Sequence, residues 1–452
     1  MRKRINRITF RLILTLSPVF CHAQDNNALN LHWSRLLPPQ TVAEHINTTG
    51  VEGAFAGISG DALIVAGGVI LSDAKNEFDK KIIDDIFVLD LNNSPDSLKW
   101  MQRNNLDRAV AYGAAVSTPY GILCMGGKDA KQILDAVFLL KWDQHAKKLS
   151  RINLPSLPQP CVYGNATVLE DQVYLAGGQS GTDLQSAMKN FWRLDLSPLA
   201  NNNIKALTWE ELAPWPGPER ACNITVAQHN GQTACVYVLS GRRMSEQSLT
   251  QEYEILTDVY EFNPAVHNSA PENAWRQRQD TPMNIARGTA TALGQSHILL
   301  LASPVDLSYS TGTQDENYQR LPNKTWLFHT ITNTWIVSGS APVGHFATGI
   351  MNWHDKFILP ATDSDQQDQT TDVWLIRPEP ESIEFGVLNF SVLILYLLSM
   401  MLIGFYFAKR NKDTNDYFRG GQHIPWWAAA CSIFATMLSS ITYMSVPARA
   451  YA

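Results

Sequence analysis

Hydrophobic residues along this chain fall into two patterns. Through most of the chain they come in short runs of strand length, each closed by small residues and separated by polar loops containing proline. Near the C-terminal end they merge into one unbroken run, Phe385 to Ala408, with no charged residue and with Lys409, Arg410 and Lys412 directly after it. The first pattern predicts strands buried on both faces. The second predicts a helix that, at about 1.5 Å per residue, exceeds the roughly 30 Å hydrocarbon core of a bilayer. A buried helix of a soluble domain is the alternative for this run, though it would not need such uniformity.

The strand-length runs repeat. An apolar strand ends in a glycine pair, a polar loop follows, then a strand ending in an acidic or polar residue, then a strand carrying Trp, then a turn with proline. Ala62 to Gly68 leads to Ile86–Asp90 and Trp100; Gly121 to Gly127 leads to Ala136–Leu140, with Trp142 arriving early. Val173 to Gly178 leads to Phe191–Asp195 and Trp209, and Val236 to Gly241 leads to Val259–Phe262 and Trp275. Two weaker copies, Ile298–Ala302 with Trp326 and Trp335 and Phe357–Ala361 with Val373–Ile376, carry no glycine pair. A period of roughly 50 to 65 residues in a β-rich chain predicts propeller blades. The last copy stops at Ile376 without its Trp strand, and Leu31 to Leu37, ahead of Pro38-Pro39, supplies the missing piece. The prediction is an all-β six-bladed propeller whose N-terminal strand closes the last blade, removing free sheet edges.

Arg2, Lys3, Arg4, Arg7 and Arg11 precede an apolar stretch from Leu12 to Phe20 and small residues at Cys21-His22-Ala23, the form of a secretory signal peptide over residues 1–23. Arg11 shortens that stretch, so an uncleaved anchor or a lipidated Cys21 stays open. Export puts the propeller, residues 24–380, on the periplasmic or extracellular side of a cell membrane. It also makes 385–408 the transmembrane helix and places 409–424 in the cytoplasm, where the basic flank agrees with the positive-inside rule. Residues 425–452 read as the start of a second membrane segment, with Trp426-Trp427 at its interface. A net charge of −6 argues against a nucleic-acid partner. Six cysteines in 452 residues are too sparse for a disulfide framework, and Cys124 and Cys235 read as buried thiols.

Candidate chemistry lies in the segments that open each copy, which line a propeller's funnel. They carry Arg108, Tyr163, Arg220, Arg287 and His345. Three arginines at equivalent places can converge on one anion, since a guanidinium grips a carboxylate through two parallel bonds. Equally, each can tie down its own turn between blades.

The repeat is the kelch pattern. Gly50 to Ser59 running on to Gly67-Gly68 resembles a late blade of the kelch-type N-acetylneuraminate epimerases, or sialic acid mutarotases. Arg108 to Gly113 is similar to the blade that follows it, and Trp209 to Pro214 with Pro218-Glu219-Arg220 to an early one. The order here is a cyclic permutation, and the likeness covers about residues 31 to 378. The resemblance implies a sugar-acid substrate, no cofactor for the propeller, and exchange of the anomers of free sialic acid. That reaction needs an acid/base group and a cation for the carboxylate. The family's acid/base glutamate follows the glycine of its blade, with an arginine beyond it. Here Thr362 stands at that place and the arginine is absent; Asp363 is the adjacent carboxylate and the catalytic candidate. Enzymatic activity is therefore open between a mutarotase using Asp363 and a non-catalytic ligand-binding or scaffolding propeller.

Tyr417 to Gly421, Ile424 to Trp427 and Ser432 to Thr442 strongly resemble the start of sodium:solute symporters. That resemblance implies an inverted-repeat fold, a sodium ion as cofactor of the symporter part, and backbone carbonyls at Ala435 and Leu438 as part of its site. Membrane lipid is the expected surrounding. The chain ends at Ala452 inside the matching region, so the missing remainder of the transporter is an expected partner, and these segments alone are not expected to transport.

Overall fold

The computed structural model describes residues 30–37, 51–71, 80–92, 98, 100–103, 105–245, 253–304, 324–342, 349–362, 371–379, 386–408, 426 and 433. Within these, six four-stranded antiparallel sheets form the blades of a β-propeller. From the inner strand outward, the first blade is Phe55–Ser59, Ala62–Ala66, Ile86–Asp90 and Trp100–Arg103. The second is Ala114–Thr118, Gly121–Met125, Val137–Asp143 and Lys148–Leu154. The third is Asn165–Leu169, Gln172–Ala176, Phe191–Asp195 and Trp209–Glu211, and the fourth Ile224–His229, Ala234–Leu239, Val259–Phe262 and Trp275–Arg278. The fifth is Ile285–Leu293, His297–Pro304, Lys324–His329 and Thr334–Ser340. The sixth runs Met351–Trp353, Lys356–Thr362 and Thr371–Glu379, and its outer edge is taken by Asn30–Leu37, antiparallel to Thr371–Glu379.

The unbroken apolar runs follow from this arrangement, because each sheet is covered on both faces. Along Ala62–Ala66, Ile64 packs into the cluster shared with the second blade, with Phe55, Ile122 and Phe138. Its neighbours Leu63 and Val65 point the other way, to Ile358 and Leu375 of the sixth. The same alternation builds clusters between every other adjacent pair of blades, so the core is a closed ring of six wedges. A Leu→Ala change inside one wedge, for example at fully buried Leu300, costs about 2–5 kcal/mol.

Tryptophans link the rim. The indole N–H of Trp209 donates to Pro155 O (3.0 Å), that of Trp275 to Ala213 O (2.7 Å), and that of Trp335 to Gln279 O (3.1 Å). Each ties an outer strand to the turn leaving the preceding blade. Trp142, early in its repeat, is buried in the wedge with the first blade instead. Toward the axis, inner-strand side chains take the neighbouring strand's N–H groups. Ser117 accepts from Ile58 N–H (2.8 Å), Asn165 from Thr225 N–H (2.8 Å) and Thr289 from Ile350 N–H (2.9 Å). First and sixth blades meet at Asp61, which accepts from Trp353 (3.4 Å) and contacts His354 (3.2 Å).

Beyond the propeller, Val387–Ala408 is a single α-helix of 22 residues. Its window Asn389–Tyr406 is long and apolar enough to cross a membrane by length and composition. None of that window is buried against the described residues of the propeller.

Candidate functional site

The site is built by a repeated backbone motif at the face where the second strand of each blade exits. In the first three blades two glycines turn the chain, at φ 66° and 103° for Gly67 and Gly68, 63° and 95° for Gly126 and Gly127, and 64° and 103° for Gly177 and Gly178. A Cβ on the first of each pair would meet Val110 O at 2.4 Å, Cys161 O at 2.2 Å or Asn223 Oδ1 at 2.2 Å. Glycine is therefore required by close approach as well as by φ. The second glycine donates to the segment opening the next blade: Gly68 to Val110 O, Gly127 to Cys161 O and Gly178 to Arg220 O, each at 2.8 Å.

In the first four blades the opening segment passes through one left-handed residue before its inner strand begins. Gly53, Tyr112, Tyr163 and Cys222 hold φ values of 66°, 60°, 58° and 57°. They are joined in series: Tyr112 N–H donates to Gly53 O (2.7 Å), Tyr163 N–H to Tyr112 O (3.0 Å) and Cys222 N–H to Tyr163 O (2.8 Å). This chain of bonds is an arc around the funnel mouth through the first four blades. A bulky residue in this region costs of order 1–3 kcal/mol, and such outliers collect at functional sites.

A second arc lies beside it. The residue before each left-handed position bridges to the residue after the glycines: Glu52 with Val69, Ala111 with Lys128, Val162 with Gln179 and Ala221 with Arg242. Lys128 Nζ sits 5.2 Å from the Tyr112 ring centre and 5.5 Å from that of Tyr163, and the two rings are 5.0 Å apart.

The five candidates from the opening segments separate in this frame. Tyr163 is half-buried within the first arc. Arg108 is exposed and paired with Asp129 (3.3 Å), whose carboxylate also caps Lys131 and Gln132 N–H. Those backbone bonds hold Asp129 below the usual carboxylate range despite partial burial. Arg220 is 0% exposed. Its guanidinium makes two bonds to Asp258 (2.9 and 2.8 Å) and one to Ser240 O (2.9 Å), between the rings of Trp215 and Tyr260. Its geometry corresponds to a tie within the blade, because nothing of the guanidinium is left for an outside anion. Burial first, then the Asp258 charge, pushes the Tyr260 hydroxyl up to about 12. Arg287 lies at an irregularity of the fifth inner strand, and its side chain is outside the described residues. His345, Asp363, Ala435 and Leu438 also lie outside them, as does the segment proposed as signal peptide. Thr362 ends its strand opposite Thr371.

Sequence reasoning passed over Lys128, Tyr112, Gln179 and Arg242. Their signal was positional: the residue after the glycines and the residue before each inner strand, compared across copies.

A separate cavity of about 390 Å³ lies at the third blade, lined in part by Gln159, Lys189, Asn190 and Glu211. Asn190 precedes its strand as Asp258 does in the fourth blade, and its buried amide has no partner among the described residues. The position that carries Arg220 in the fourth blade holds the short Cys161 here. Burial pushes the Cys161 thiol up to about 12, which leaves it inert.

The fold thus defines a six-bladed propeller with an arc of left-handed openers, joined to an apolar helix. No family model matches the chain. Among curated proteins it is similar to the sodium/sialic acid symporter SiaT of Proteus mirabilis, 59% identical over 68 residues, 15% of this chain and 14% of that protein. The sodium/sialic acid symporter NanT of Aliivibrio fischeri is 55% identical over 71 residues, 16% of this chain and 14% of that protein. An N-acetylneuraminate epimerase of Brucella suis is 35% identical over 129 residues, 25% of this chain and 31% of that protein. The chain therefore spans about a seventh of the symporters and under a third of the epimerase. It joins a propeller similar to N-acetylneuraminate epimerases to a segment similar to sodium/sialic acid symporters.

Proposed function

We propose that the propeller handles a sialic-acid-like sugar acid outside a cell membrane and is attached to a sodium symporter for the same sugar. One observation carries this reading: two parts of one chain resemble proteins of different classes that are both named for sialic acid. In this reading residues 1–23 direct export and are removed, 385–408 spans the lipid, and 409–424 faces the cytoplasm. Carbonyls at Ala435 and Leu438 contribute to a sodium site completed by the rest of the transporter.

Mutarotation at the propeller needs no cofactor. A carboxylate takes the anomeric hydroxyl proton while an acid protonates the ring oxygen, the ring C–O bond opens to the keto form, and reclosure on the other face returns both protons. Asp363 is the candidate acid/base group, with the funnel-mouth residues as the binding wall. Thr362 at the place of the family glutamate supports a second reading, a propeller that binds the sugar acid for the transporter without turning it over.

The test follows N-acetylneuraminate anomer equilibration by NMR with the full chain in lipid nanodiscs. Acceleration that disappears in Asp363→Asn supports the mutarotase; binding by calorimetry without acceleration supports the binding propeller. A chain that does neither rules out both.

A further inference from the structure

The cations around the funnel mouth are held in different ways. Arg220 is neutralised inside the fourth blade by Asp258, and Arg108 at the surface by Asp129. The Lys128 ammonium has no carboxylate and no hydrogen-bond acceptor among the described residues, yet the residue is half-buried. What holds it is two aromatic faces, Tyr112 and Tyr163. A cation over rings is positioned without being discharged, so its N–H donors remain for a ligand.

The backbone is fixed as firmly as the side chain. Lys128 N–H donates to Ala111 O (2.8 Å) and Ala111 N–H to Lys128 O (3.0 Å), directly beside Tyr112. Gly53, where a Cβ would lie 2.4 Å from the Tyr112 ring, makes the space into which that ring leans. Three blades thus bring two tyrosine rings around one ammonium; the left-handed backbone recurs at Cys222 (φ 57°), so it is the pair of rings that distinguishes this position.

We propose that Lys128 is the cation that receives the carboxylate of the sugar acid, with Tyr112 and Tyr163 as the platform under it. The proposal rests on the sugar-acid reading above. It assigns to one lysine after a glycine pair the role that three arginines suggested by sequence. A lysine is a compact point charge, so recognition here is of charge and distance rather than of a bidentate fork.

The experiment measures binding of N-acetylneuraminate and of its methyl ester to the full chain in nanodiscs by calorimetry. Lys128→Met is expected to weaken the acid by about tenfold or more, the worth of a charge-assisted bond, and to leave the ester within about twofold. Tyr163→Gly keeps the left-handed backbone while removing the ring, and is expected to weaken acid and ester alike. Equal acid affinity in Lys128→Met and the native chain, with the melting temperature unchanged, overturns the proposal and leaves the sugar-acid reading standing. If the native chain binds neither compound, the sugar-acid reading fails, and glucuronate and lactate then test Lys128 independently. Lysine-dependent binding of those carboxylates upholds the site, and absence of binding removes it.

Discussion

In the first four blades the second strand is five or six residues long and leaves its sheet through two left-handed positions, the fourth using Ser240 (φ 58°) and Gly241. In the last two blades it runs for eight and seven residues. By strand register Ala302-Ser303 and Ala361-Thr362 stand where the glycines would be, and there the strand runs on in extended pairing instead of turning. Side-chain links between inner strands are common to both groups, and the early blades add a backbone tie. The early blades bond backbone to backbone through Gly68, Gly127 and Gly178; among the described residues the fifth meets the sixth through the Thr289 and Thr291 side chains. Two residues per repeat therefore decide where the second strand leaves its sheet.

Four experiments press on that contrast. The largest effect is expected from Arg220→Ala, which leaves Asp258 with an unpaired charge and Ser240 O without its donor. Chemical denaturation should show a loss of about 3–5 kcal/mol, and a loss below about 1 would mean the fourth blade does not depend on this tie. Next, Gly126→Ala should cost about 2–4 kcal/mol, from φ strain and a clash with the Cys161 carbonyl, while Ala302→Gly in the fifth blade costs about 1. Equal costs would erase the distinction between the two groups.

Lys147→Met tests the latch between first and second blades. Burial pushes the Asp90 carboxyl up, but bonds from Lys147, Gln144 and Asn92 N–H outweigh it and hold the pKa below its ordinary value. That stabilisation is present above the unfolded pKa of about 4 and is lost as pH falls through the lower folded value. The variant should lose about 1 kcal/mol at neutral pH and show a shallower decline in melting temperature below pH ~4. The smallest effect belongs to His297 and His329, facing across the fifth blade with ring centres 4.5 Å apart. Burial lowers both pKa values, and His329 lowers that of His297 further. Their contribution is complete above about pH 6.5 and is lost as pH falls through the depressed values, so His329→Gln should flatten the melting profile between pH 7.5 and 5.

The six-fold repetition was legible because each blade buries both faces, and a doubly buried strand is written as an uninterrupted apolar run. Where the repeat ended without an outer strand, the edge is occupied by Asn30–Leu37. The site was less legible. Arg220 shares a position with other openers, but its partner Asp258 lies 38 residues away, and no spacing rule announces that pair. Lys128 is an ordinary lysine in the sequence; only the approach of rings from two successive blades gives it a role. Reading copies against one another column by column, rather than each for its own motif, is what brings Val69, Lys128, Gln179 and Arg242 into one row.

The seam between Asn30–Leu37 and Thr371–Glu379 has a temporal meaning. Ser34 and Leu375, hydrogen-bonded neighbours there, are 341 residues apart along the chain. The strand made first waits at the ribosome's far side until the one made last emerges, so five finished blades precede any closed ring. The partner strand is also the one followed in sequence by the apolar helix. The circle can therefore shut only as the chain is making the 22-residue apolar helix Val387–Ala408.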